Sequence, residues 1–167
     1  VLSGFDPTSS LLDILPLLAF NFGPAVAAKT GAAKLPSCND AKNNRNRFFQ
    51  QLPGLTSVAS QLNVPTNFIV GLSSYESGWL DNHNFALHNL WGLTNAGGNN
   101  LNFSSFQAGN TYFVNNVGPY IQGAQRLSAF FSGLKNEGYN SANPAYWTTL
   151  QNRISKIPMW EAACGVK

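Results

Sequence analysis

The chain has 167 residues, enough for one domain with a sizeable core. Charged residues make up only 10% of it and the formal net charge is +3, which gives a mild preference for anionic surroundings but no basic stripe for nucleic acid. With 44% hydrophobic and 13% aromatic residues, the surface must be wetted by Asn, Gln, Ser and Thr, a balance that suits an extracellular protein.

The first apolar stretch, Leu11–Ala28, is broken by Asp13, Pro16, Asn21, Gly23 and Pro24, so it does not read as a membrane span. No basic residue precedes it, and it resembles a secretory leader only loosely. Residues 1–34 are therefore expected to form an ordered arm on a processed or excised chain. Gly23–Ser37, rich in Ala, Gly, Pro and Lys, reads as a connector. The expected organisation is an arm and connector over 1–37 and a single domain over 38–167.

Helical patterns follow in order. Asp40–Gln51 and Leu55–Leu62 are separated by Pro53-Gly54. Pro65-Thr66-Asn67 opens a third helix, in which Phe68, Leu72, Tyr75 and Trp79 recur at helical spacing, until Gly78 ends it. From Leu80 to Gly118 Asn and Gly dominate, and Asn95-Ala96-Gly97-Gly98-Asn99-Asn100 predicts a turn in a small β-hairpin or irregular lobe. After Pro119 a stripe through Ile121, Ala124, Leu127, Phe131 and Leu134 predicts a helix closed by Gly138. A last helix after Pro144 carries Tyr146, Leu150, Ile154 and Ile157. The fold class is mainly α (α+β), with a loop-rich lobe inserted midway.

Cys38 and Cys164 bracket the domain. No Cys/His cluster accompanies them, and His83 and His88 lack a third ligand, so neither a metal nor any other cofactor is expected. Paired, the two thiols would close a loop of more than 100 residues, for which chain entropy gives roughly 4–5 kcal/mol, and would require an oxidising compartment. Two free buried thiols are the alternative.

The chemistry-bearing residue is Glu76. It lies four positions after Leu72 and seven after Ile69, within roughly 20–40° of both on the helix surface. Burial on that face raises a carboxyl pKa, and an acid that keeps its proton near neutral pH can protonate a glycosidic oxygen. Glycosidases ordinarily pair two carboxylates. Between Glu76 and Glu137 the only other acid is Asp81, which reads more readily as a helix-end or turn residue making local hydrogen bonds than as a cleft acid. A one-acid mechanism, helped by the substrate's own N-acetyl group or a polar side chain, stays open.

Glu76-Ser77-Gly78-Trp79, Asn89-Leu90-Trp91-Gly92-Leu93 and the segment from Tyr139 through Asn143-Pro144 to Tyr146 occur in this order over about 100 residues, roughly Leu55 to Ile157. In this they resemble the bacterial endo-β-N-acetylglucosaminidases of autolysins and flagellar muramidases, members of the lysozyme-like superfamily related to lytic transglycosylases. The resemblance implies a lysozyme-like helical domain that cuts peptidoglycan glycan strands, with Glu76 as general acid and Tyr139 beside the reacting sugar. Asn89, Trp91 and Thr94 would shape the cleft floor. Asp81, Phe106, Tyr112 and Asn143 are further candidates for substrate contact, the two aromatics by stacking on sugar rings. Many members of that family carry a second acid in the β-lobe, and here none lies between Asp81 and Glu137. Hydrolysis and anhydro-sugar formation therefore both remain open.

On this reading the partners are glycan strands, not nucleic acid, and the arm over 1–37 would dock the domain into an envelope or virion assembly. Secreted, periplasmic or virion-associated placement follows. A wall-binding module without turnover, or an enzyme for chitin, are the alternatives.

Overall fold

The computed structural model describes residues 35–139 and 143–166, which belong to one unit, Lys34–Lys167. The expectations for residues 1–34, and for residues 140–142 between Tyr139 and Asn143, lie outside the described residues. Nine helices carry the described chain: α1 (Arg45–Phe49), α2 (Leu52–Leu62), α3 (Thr66–Glu76), α4 (Asn82–Ala86), α5 (Phe106–Asn116), α6 (Gly118–Ile121), α7 (Leu127–Glu137), α8 (Tyr146–Ser155) and α9 (Ile157–Ala163). The mainly α expectation holds. Among the described residues there is no sheet, and the turn around Gly97-Gly98 is pinned by a lone antiparallel bridge between Thr94 and Asn100.

Three differences from the sequence pattern have local causes. Pro53 lies inside the first turn of α2, where a missing N–H costs nothing, so the break with α1 falls earlier, at Gln50-Gln51. The stripe after Pro119 is two helices, because Gly123 takes a left-handed conformation (φ +74°) and its N–H donates to Leu62 O at 2.8 Å. The expected β-lobe contains α5, started by Ser105, whose hydroxyl accepts from the Ala108 N–H at 3.1 Å.

The central helix is α3. It buries Ile69, Val70, Gly71, Leu72, Ser73 and Ser74, which leaves almost no solvent face, and it packs on α2, α8 and α9. Gly71 makes the α3–α8 approach close: a Cβ there would meet Ile154 Cγ1 at 2.3 Å. Because α8 lies so near, its first residue, Tyr146, reaches the end of α3. Phe113, Ile121, Phe130, Leu134 and Leu150 complete the core around this pair. Cys38 and Cys164 form a disulfide across a sequence separation of 126. No helix of the described residues is long and apolar enough to cross a membrane.

Candidate active site

Glu76 is the last residue of α3, and the chain turns away from it sharply. Ser77 holds the turn: its hydroxyl donates to Ser73 O at 2.7 Å and accepts from the Leu80 N–H at 3.0 Å. Gly78, Trp79 and Leu80 follow in left-handed conformations (φ +58°, +61° and +56°). For the two non-glycine residues that costs about 1–2 kcal/mol each. The cost is offset by complete burial of Trp79 and Leu80, the indole edge-on to Phe48 at 5.2 Å.

The Asn89–Thr94 turn forms the opposite wall. Asn89 is fully buried and braces the turn: Oδ1 accepts from the N–H groups of Trp91 (3.2 Å) and Leu93 (3.1 Å), and Nδ2 donates to Leu93 O and Leu101 O. Trp91 stacks on Phe113 at 3.7 Å and its indole N–H donates to Asn110. Ser73 ties the turn to α3 through a 2.8 Å bond to Leu90 O. At Gly92 (φ +57°) the backbone passes so near Glu76 that a Cβ would lie 2.6 Å from its carbonyl oxygen. A third wall comes from the end of α7, where Gly138 (φ +102°) reverses the chain and the Tyr139 N–H returns to Leu134 O at 2.9 Å.

These walls enclose an open cleft of about 250 Å³ lined by Glu76, Trp91, Gly92, Leu93, Thr94, Glu137 and Tyr139. The Tyr146 hydroxyl, 70 residues away in sequence, donates to Glu76 Oε1. Burial pushes the Glu76 carboxyl up from 4.5 to about 7, against the opposing pull of that hydrogen bond. Glu137 is also raised by burial, to a degree set by its place on the rim. The Tyr139 phenol is raised far above its usual range by burial and by the charges of Glu76 and Glu137; burial and Glu76 do the same to Tyr146. Both phenols therefore stay neutral donors at any working pH. The Tyr139 hydroxyl is buried with no hydrogen-bond partner among the described residues, a state that costs about 1–3 kcal/mol.

Of the residues expected at the site, Glu76, Tyr139, Trp91 and Thr94 meet in this cleft, with Trp91 contributing from a core position. Asn89 stands behind it as a brace rather than a floor. Asp81 is placed elsewhere: it caps α4, accepting from the Asn84 N–H at 2.8 Å, and lines a separate hollow with Lys42, Arg47 and His83. Phe106 packs on Phe85 and His88, and Tyr112 on Phe103, and neither lines the cleft. Asn143 accepts from the Ala145 N–H just before α8. Two residues that sequence reasoning did not place here are Tyr146 and Glu137. Tyr146 had a signal, its position at the end of the third motif; Glu137 had none beyond its neighbour Tyr139.

Two larger hollows lie among the described residues, about 440 Å³ beside Asp81 and about 300 Å³ between Arg45, Arg153 and Trp160. The second has no acid in its lining, and in the first hydrogen bonds from Lys42, Asn43 and Arg45 hold the Asp40 carboxyl well below its usual range. No group of three His, Cys, Asp or Glu among the described residues is arranged to hold a metal ion.

The fold is similar to a chain in the solved structure of a type VI secretion system effector–immunity complex from Pseudomonas protegens. The two share 21% identity with a TM-score of 0.61, over 77% of this chain and 97% of that one. At that identity the likeness speaks for the fold alone. No protein-family model matches the sequence, and no curated protein does.

Proposed function

We propose that this domain cleaves peptidoglycan glycan strands at a β-1,4 bond between N-acetylglucosamine and N-acetylmuramic acid, with Glu76 as the proton donor. The observation that carries this reading is the Glu76 carboxyl, held near a pKa of 7 at the mouth of a cleft. At neutral pH about half of such groups carry the proton a departing sugar oxygen needs. Tyr146 fixes the carboxyl's orientation, and Tyr139 lines the cleft beside it.

The three ordered motifs support the choice of substrate. The neighbour of similar fold comes from a secretion-system effector–immunity complex, which is compatible with a protein that meets a protein partner, and the disulfide fits an oxidising destination. The test is incubation of purified sacculi with the wild-type protein and Glu76→Gln. Soluble muropeptides should appear with the first and not with the second, while circular dichroism shows both folded. Equal release by the two proteins would overturn the assignment. A protein that pellets with the wall and releases nothing in either form would be a binding module.

A further inference from the structure

We propose that Glu137 is the second carboxylate of the reaction, the base that activates the water attacking the anomeric carbon. The inference rests on the function proposed above and deepens it.

Glu137 lines the same cleft as Glu76, although it arrives from the last turn of α7 and not from the Asn- and Gly-rich lobe. Tyr139 registers both charges, so the two carboxyls flank one phenol. Tyr139 itself lines the cleft, and its phenol oxygen is buried with no hydrogen-bond partner among the described residues.

No structural role accounts for Glu137. Among the described residues it makes no ion pair, the one salt bridge being Arg45–Asp40. The nearest cation on its own helix, Lys135, is turned over the Trp147 ring at 4.9 Å. A carboxylate at a helix C-terminus also faces the negative end of the macrodipole. The position therefore costs stability by desolvation and by the helix field, with no pairing to offset either, and such sites are the ones function retains.

The two acids divide the labour by depth. Glu76, the more deeply buried, is the proton donor, and Glu137, less deeply buried and on the wall from α7, is the base. Glu76 gives its proton to the glycosidic oxygen as the C1–O bond breaks. A water oxygen bonds to C1 and releases its proton to Glu137. One water is consumed, the leaving sugar gains a hydroxyl, and the new end is a reducing sugar. Solvent then carries the proton from Glu137 back to Glu76.

The test compares wild type, Glu76→Gln, Glu137→Gln and Glu137→Ala on sacculi, with muropeptides read by mass spectrometry and folding by thermal melts. Glu137→Gln should lower turnover by about 10²–10⁴-fold, while binding to sacculi in a pelleting assay is retained. Added formate or azide should restore part of the rate to Glu137→Ala and none to Glu76→Gln, an effect a merely structural residue would not show. If the glutamine variant fails to fold, Glu137→Asp serves, with a partial loss expected. Wild-type rates in a Glu137 variant alongside a dead Glu76→Gln would overturn this inference and leave the role of Glu76 standing. Wild-type rates in both would sink the underlying function, and anhydro ends from the wild-type enzyme would rule out the water step.

Discussion

Replacing Glu76 with glutamine should stabilise the domain above neutrality while removing its acid. In the folded state the carboxyl titrates at about 7 against an ordinary 4.5, with burial as the main cause. Between those two pH values the folded protein holds a proton that the unfolded chain has released, so stability falls as pH rises through the window. Converted at about 1.4 kcal/mol per tenfold change in proton activity, the full penalty above pH 7 is about 3 kcal/mol. Glutamine has nearly the same shape, still accepts from the Tyr146 hydroxyl and has no charge to desolvate. The stability curves of wild type and Glu76→Gln should coincide near pH 4 and part steadily up to pH 8. The gap there would be on the order of 10 °C in melting temperature for a domain of this size. Calorimetric melts at half-unit pH steps measure it, and the other titrating groups, present in both proteins, largely cancel in the difference. Parallel curves across the whole range would refute the claim that Glu76 is a desolvated acid, and with it the physical basis for its role.

Three further outcomes follow from the same geometry. Wall clearing should fall as pH rises past about 7, and Tyr146→Phe should move that limb to higher pH, because its hydrogen bond pulls the Glu76 pKa down; a pH–rate profile of both proteins decides it. Gly92→Ala should cost more than about 2 kcal/mol and most of the activity, since a Cβ there strikes the Glu76 carbonyl, whereas Gly98→Ala, at φ +78° in open space, should cost only the roughly 1–2 kcal/mol of the backbone conformation and leave activity intact; chemical denaturation and sacculus release measure the pair. Replacing Cys38 and Cys164 by serine should lower unfolding free energy by about 4–5 kcal/mol, the chain-entropy value for so long a loop, read by denaturant titration.

What could be read from the sequence followed the strength of its periodicity. The helix ending at Glu76 and the two Gly-closed ends at Gly78 and Gly138 were legible because apolar spacing and a helix stop agreed there. Helix α5 was not, for a specific reason: its buried face is Gly109, Asn110 and Phe113, so two of the three inward positions carry no hydropathy signal. Asn110 is inside because it accepts from the Trp91 indole, a pairing no linear pattern announces. Asn89 was expected on the cleft floor from the family resemblance, yet its four side-chain hydrogen bonds all go to backbone and brace the turn. Glu137 was counted only as the far limit of an acid-free stretch. Its place beside Glu76 depends on how α7 packs, a tertiary fact, and local sequence carries no trace of it.

The Cys38–Cys164 bond makes the chain between them a closed covalent ring. Tension applied at these two residues passes through the sulfurs and never reaches the helices, so the domain resists mechanical extension for as long as the bond lasts, whatever the thermodynamic stability of its core. A single backbone cut anywhere inside the ring leaves both pieces tethered. Threading through a narrow pore is affected in the opposite sense: a ring must enter as two strands side by side, so passage as a single thread requires the bond to be open and to close on the far side.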